Sequence, residues 1–318
     1  MSRESAAPSF TTSHRPRLRP ALFAPRFWGV WAGFAGLWLL RWIPVTVRGA
    51  LARGLAALTV RTSSKRRDDA LANLRACFPD LSDGQRIALL HRHARIQFEV
   101  YLGFGELMFA SRERLRARFD VIGLEQVERA TAAGRGVMIL APHTCAFEWA
   151  AQCVAILHPV VSMARLHKDN PAMDWVINRM RLRFGGVVYS HEQSMVPLIK
   201  AVRAGFWMFY LPDEDRKNTN GVFVPFFGMA KLTIPSMGRL ATACRAQVFP
   251  LRVCYAPDTR RIQLEFLEAL ADFPTGDPVT DATRMNAEIE AILAPDPAQY
   301  AWTQRIFRSR PPGEPGIY

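Results

Sequence analysis

The chain has 318 residues, 49% of them hydrophobic, enough for one or two packed domains and too apolar for an intrinsically disordered protein. Its net charge of +13 is concentrated: residues 1–67 hold twelve Lys or Arg against one acid, Glu4, and so carry eleven of the thirteen net charges. That distribution argues against a body that binds nucleic acid through a broad basic face.

Residues 1–25, whose first twenty are rich in Ser, Thr, Pro and Arg, read as a disordered basic tail. Residues 26–46 read as a membrane anchor helix. Phe27 to Leu40 is an uncharged run of fourteen, short of the roughly 20 residues that span a bilayer. It reaches that length if Arg41 snorkels to the head groups and Trp42, Ile43 and Val45 continue it. Trp28, Trp31 and Trp38 fit an interfacial position, so a helix lying in the membrane surface is the alternative. More Arg and Lys follow the run than precede it, which by the positive-inside rule puts the body on the cytoplasmic side. Arg41 and Trp42 do not make a small-residue cleavage site, so a cleaved signal peptide is disfavoured. Residues 47–118 read as a helical region at the membrane surface. It holds an amphipathic segment Val47–Val60, a helix from Asp68 to Cys77, a turn and N-cap over Phe78–Asp83, and helix over 84–118.

From 119 to 318 the pattern alternates. Strands are predicted at 118–122, 136–141, 159–164, 186–189, 206–211, 247–255 and 262–267. Helices are predicted at 124–133, 145–156, 171–184, 193–204, 234–245 and 280–294. Such alternation implies an α/β fold, a mostly parallel sheet flanked by helices. The piece 212–233 reads as a long irregular connection of functional kind.

The most informative stretch is Gly136–Glu148. A β-branched, apolar strand stops at Pro142; His143 follows, and Glu148 stands five residues on. The histidine therefore lies at the carboxyl end of a strand, where open α/β sheets bind ligands. On one helix, side chains five apart diverge by roughly 140°. The two meet only if His143 is in the turn and Glu148 in the first turns of the helix. That arrangement suits a general base whose tautomer a carboxylate fixes. Cys145, two residues from His143, offers a thiol nucleophile as a less favoured mechanism. The five cysteines are odd in number and contain no C-x-x-C pair, so neither a disulfide framework nor a zinc site is expected, and a reducing compartment fits.

Further motifs narrow the reading. They are Asn73–Pro79; Arg165–Pro171 with Asp174-Trp175 and Arg179, Arg181 and Arg183; Leu211–Lys217 followed by Gly221–Gly228; and Pro297–Pro311 with its Gln299-Tyr300-Ala301-Trp302 core. In this order and spacing, from about residue 25 to the end, the chain resembles the late acyltransferases of lipid A biosynthesis, relatives of the glycerolipid acyltransferases. The resemblance implies an acyl-carrier-protein-dependent O-acyltransferase of the bacterial inner membrane, with the body cytoplasmic. It implies an acyl carrier protein thioester as donor, a lipid A precursor as acceptor, and no metal or organic cofactor. His143 would be the general base and Glu148 its orienter. Arg181, then Arg183, would stabilise the oxyanion; Arg165 and Arg216 would face phosphates; Asn170, Asp213 and Asp215 would belong to the substrate site. Phe223, Phe226 and Phe227 line the acyl chain or, more in keeping with their composition, pack as core. The chain departs from the family at Gln304-Arg305-Ile306-Phe307-Arg308, where His-Arg-Arg before Phe-Lys is common, and at Arg216-Lys217, where a Tyr-Gly pair is usual. Those departures leave open an O-acyltransferase acting on another hydroxylated membrane lipid. A reading of another class is a non-catalytic basic membrane- or nucleic-acid-binding protein, which salt-sensitive DNA binding by residues 68–318 would reveal.

Overall fold

The computed structural model describes residues 13–318 except 193 and 217–219. Residues 1–12 of the expected tail therefore lie outside the described residues. Residues 13–25, expected to be disordered, are instead tied down. The His14 backbone N–H donates to the Val188 carbonyl (2.7 Å), the His14 ring pairs with Asp174 (2.6 Å), and two short 3₁₀ turns cover Pro20–Phe23 and Pro25–Phe27.

Six helices come first: α1 Trp28–Leu40, α2 Val45–Arg61, α3 Lys65–Cys77, α4 Asp83–Leu102, α5 Phe104–Phe109 and α6 Arg112–Arg116. α4 opens with a capping box, Ser82 and Gln85 each satisfying the other's backbone N–H. The alternating part then runs β1 Phe119–Ile122, α7 Leu124–Ala132, β2 Gly136–Leu140, α8 Phe147–Leu157, β3 Val160–Ala164, α9 Pro171–Arg181, β4 Val187–Ser190, α10 Val196–Arg203 and β5 Trp207–Tyr210. It continues with β6 Val222–Phe226, β7 Met229–Thr233, α11 Met237–Cys244, β8 Ala246–Ala256, β9 Arg261–Phe266 and α12 Pro278–Leu293.

Seven strands form one sheet in the order β1-β9-β8-β2-β5-β3-β4. β8, β2, β5, β3 and β4 run parallel, while β9 lies antiparallel to β8 and carries β1 parallel to itself. β2 is buried along its whole length. Its alternation feeds two cores, Val137 and Ile139 on the α8 side of the sheet, Met138 and Leu140 on the side of α11 and α12. The α/β reading and the largely parallel sheet hold. The connection read as irregular does not stay so: β6 and β7 form an antiparallel hairpin turned at Phe227-Gly228, both with positive φ (47° and 75°).

The anchor expected at 26–46, spanning or lying in the interface, is in the structure the shorter helix α1 followed by a turn. α1 has 13 residues, about 20 Å at 1.5 Å each, against a hydrocarbon core of about 30 Å. Among the described residues no helix is long and apolar enough to cross a membrane. Pro44 precedes the next helix and the Arg41 guanidinium lies over the Trp42 ring, 4.5 Å from its centroid. Part of the apolar character goes into packing: Trp31 meets Trp175 (5.6 Å between centroids) and Phe34 meets Phe109 (5.0 Å). A Cβ at Gly105 would stand 1.9 Å from the Leu37 carbonyl oxygen, so only glycine lets α1 approach α5 this closely.

Asn73 explains its own motif. Its buried amide donates to the Trp302 and Gln304 carbonyls (2.7 Å each) and accepts from the Tyr318 hydroxyl (2.5 Å). With Arg305 on Asp69 (2.9 Å), this straps the C-terminal segment across α3. Asn73→Ala removes the donor from two carbonyls, and a cost of about 2–4 kcal/mol is expected in denaturant unfolding. An unchanged midpoint would show that the strap contributes nothing to stability.

Candidate active site

His143 sits in the turn after β2 and Glu148 is the second residue of α8, where a carboxylate favours the helix N-terminus. The two are placed as the spacing requires, yet they are not partners. The His143 Nδ1 pairs with Asp213 Oδ1 at 2.7 Å, and the His143 backbone N–H donates to the other carboxylate oxygen, Oδ2, at 2.9 Å. The orienter of the ring is thus Asp213 rather than Glu148. Register explains it. Leu140 on β2 pairs with Tyr210 on β5, and His143 and Asp213 each lie three residues beyond that pair. Parallel neighbours leaving the sheet in step bring equal offsets together.

Glu148 turns to Arg181 at the end of α9, which donates through Nε to both carboxylate oxygens (3.2 Å each) and through a terminal nitrogen to Oε1. Both side chains are largely buried. Burial acts to lower the arginine's pKa, but the Glu148 charge and hydrogen bonds outweigh it, so Arg181 stays a cation.

Burial likewise pulls the His143 pKa down. The Asp213 charge and hydrogen bond, with Glu214 beyond, reverse this and leave it above the ordinary histidine value. Asp213, fully enclosed, is pushed up by burial and pulled further down by His143 and Lys231, ending below the usual carboxylate range. With Nδ1 given to Asp213, Nε2 is the nitrogen that faces the open side, 3.6 Å from Glu214 Oε1.

That open side is a cleft of about 790 Å³ at the carboxyl ends of the parallel strands. Residues following four strands line it: His143 after β2, Arg165 and His167 after β3, His191 after β4, and Glu214 to Arg216 after β5. Glu148 and Arg181 form part of the wall. Ala151, Ala155, Val160, Phe209 and Leu211 give it an apolar side.

The other expected site residues divide. Arg165, Arg216 and Asp215 line the cleft; Arg216 is held by Glu214 (2.8 Å), and Asp215 also accepts from the Ser309 hydroxyl (2.9 Å). Asn170 is the N-cap of α9, its side chain accepting from the Met173 N–H at 3.0 Å. Arg183 donates to the Leu107 and Ala110 carbonyls and is not in the wall, so it is a tie between α9 and the helical region. Phe226 is fully buried and Phe227 packs on Phe78 and Trp302, which makes them core. The Cys145 thiol is buried and pushed up in pKa, and it faces His93 (3.4 Å) rather than the cleft. Among the wall residues not expected as such are Gln304, Arg305 and Arg308, brought in by the C-terminal strap, with His191 after β4 and Glu214 after β5. The sequence signal for Gln304 and Arg308 was that they depart from the family pattern, whereas Arg305 keeps an arginine of it.

A buried His–Asp pair aimed into a cleft lined by apolar residues and by charged residues of both signs can move a proton beside an amphipathic substrate. The family model for bacterial lipid A biosynthesis acyltransferases matches residues 15–309. A lipid A biosynthesis acyltransferase of Haemophilus influenzae is 34% identical, over 91% of this chain and 91% of its own. The lipid A biosynthesis myristoyltransferase of Escherichia coli is 33% identical, over 91% and 90%. The lauroyltransferase of Escherichia coli is 29% identical over 95% and 99%. Matched over nearly its whole length by model and relatives alike, the chain belongs to the bacterial lipid A biosynthesis acyltransferases.

Proposed function

We propose that this chain transfers a fatty acyl group from an acyl carrier protein thioester to a hydroxyl of a lipid A precursor, with His143 as general base. The observation that carries the mechanism is the His143–Asp213 pair opening on the cleft. Nε2 takes the hydroxyl proton as the alkoxide attacks the thioester carbonyl. The tetrahedral intermediate collapses, the carbon–sulfur bond breaks, and the thiolate recovers the proton from the imidazolium. Arg181, a buried cation in the wall, is assigned to the oxyanion, with Glu148 holding its guanidinium in place. The apolar side suits the acyl chain. Arg165, Arg216, Arg305 and Arg308 suit the phosphates of the acceptor, and a basic surface speeds docking of an acidic carrier protein.

The test is transfer in detergent from a panel of acyl-carrier-protein thioesters to a tetra-acylated lipid A precursor. Wild type is expected to transfer one chain length best, and Cys145→Ala to keep that activity, because its thiol faces away from the cleft. No transfer from any thioester would overturn the acceptor. A second acceptor class is favoured by one observation: Gln304, Ile306 and Arg308, where the sequence leaves the family pattern, line the cleft. Other hydroxylated membrane lipids therefore belong in the panel.

Membrane association is assigned to the outer faces of α1 and α2. Trp28 (64%), Trp42 (66%), Trp38, Leu39, Leu51 and Leu58 are exposed there beside Arg53 and Arg61. Such a face lies in the head-group layer rather than spanning it. Trp38→Ser with Trp42→Ser is expected to reduce flotation with vesicles containing anionic lipid by roughly tenfold or more, at unchanged thermal stability, since both rings are exposed. Undiminished flotation would remove these residues from the contact.

A further inference from the structure

Lys231 lies on β7, opposite Val224, with no exposed surface. Among the described residues its Nζ has no hydrogen-bond partner, and the Phe226 ring centroid lies 5.6 Å away. An ammonium in this position is costly to bury, and a methionine of similar length would fill the space without that cost. The cation must therefore answer some charge. The carboxylates it faces are Asp213 and Asp215, both on the connection that leaves β5. The residues around the hairpin are otherwise engaged. Glu290 on α12 accepts from the Phe227 N–H, Asn286 bonds Thr233 and the Pro225 carbonyl, and Arg310 donates to the Ala230 carbonyl. The Tyr300 phenol is buried beside Asp213. On its cleft side, His143 faces Glu214 and Arg216.

We propose that Lys231 is a positioning residue of the acyl-transfer site: its buried ammonium balances Asp213 and Asp215, so that the Asp213–His143 pair gives up its proton more readily than it would without the cation. The inference deepens the reading of His143 as general base and rests on it for its catalytic meaning. Its electrostatic content stands apart. Without the cation, the enclosed Asp213 and the half-buried Asp215 remain, and the His–Asp pair must bind its proton at higher pH whichever member carries it. Burial also lowers the pKa of Lys231 itself, and the two carboxylates oppose that.

The experiment follows the His143 ring by nitrogen NMR across pH in the full-length protein in detergent, with His143→Gln to assign the signal. The kcat/KM profile is recorded on the same samples. Lys231→Met is expected to raise the midpoint by about half a pH unit or more, and Lys231→Arg to hold it near wild type. Lys231→Met with Asp215→Asn removes one cation and one anion together and is expected to bring the midpoint back. Should Lys231→Met not fold, Lys231→Arg and the double variant are read against Asp215→Asn alone, which is expected to lower the midpoint. A Lys231→Met midpoint equal to wild type in a folded protein overturns the proposal, as does a double variant that fails to return. A shifted NMR midpoint with no matching acid limb in kcat/KM leaves the Lys231 assignment standing and refutes His143 as the base instead.

Discussion

His143→Ala is expected to lower kcat/KM for acyl transfer by about a thousandfold or more, since it removes both the base and the acid that reprotonates the thiolate. Residual transfer would come from binding and from the Arg181 cation. The wild-type rate should fall as pH drops through the His143 pKa, which the Asp213 charge holds above the ordinary histidine value, because only the neutral ring accepts a proton. Stability moves the other way. A pKa raised on folding means that the folded protein binds this proton more tightly. The ring's contribution to stability is therefore full below the unfolded histidine value and lost as pH rises through the folded one. Loss of rate with retained melting temperature on acidification identifies titration of the base, whereas loss of both together would point to unfolding. His143→Gln, which keeps a polar partner beside the buried Asp213, controls for the unpaired carboxylate that alanine leaves behind. An alanine variant within tenfold of wild type would remove His143 from the chemistry.

Much of the sheet was legible because its strands are short apolar runs bounded by turn residues, such as Val137–Leu140 stopped by Pro142. The hairpin was not. Its turn puts Phe227 at φ 47°, a conformation expected of glycine or asparagine, and a proline stands within β6. What holds the hairpin is tertiary: Phe227 packs on Phe78 and Trp302, and its N–H is accepted by Glu290 from α12. The apolar N-terminal run was ambiguous for a related reason. Hydropathy reports that Trp31 and Phe34 avoid water, but not whether they meet lipid or, as here, Trp175 and Phe109. Of the cleft, the sequence offered single residues such as His143, Glu148 and Arg181 but not their pairing. Asp213 lies 70 residues from His143, and their meeting depends on β5 being the neighbour of β2 although two strands intervene in the chain. Strand order is a property of the whole sheet, and no local spacing encodes it.

That pairing makes Asp213→Asn the more searching substitution. The Asp213 carboxylate accepts two donors from one residue: the His143 backbone N–H at 2.9 Å and the ring Nδ1–H at 2.7 Å. An asparagine has one oxygen to offer. The backbone N–H is fixed as a donor, so the amide oxygen goes to it and the amide NH₂ turns to the ring. The ring then switches tautomer, Nδ1 accepting and Nε2 carrying the hydrogen. An imidazole protonated on Nε2 cannot take a proton from a hydroxyl in the cleft. The expected loss is about ten-thousandfold in kcat, with the His143 ring still in place. Glu148→Gln makes the contrast. Its carbonyl oxygen still accepts from Arg181, so the guanidinium keeps its position while losing its counter-charge. The expected loss is about ten- to a hundredfold, below that of deleting an oxyanion donor. Nitrogen NMR of the ring reports the tautomer directly, independent of rate. Asp213→Asn should exchange the protonated nitrogen and Glu148→Gln should leave it alone. If instead Glu148→Gln abolishes transfer while Asp213→Asn stays within tenfold of wild type, the ring must turn to Glu148 when substrate binds, and the pair seen here is a resting arrangement.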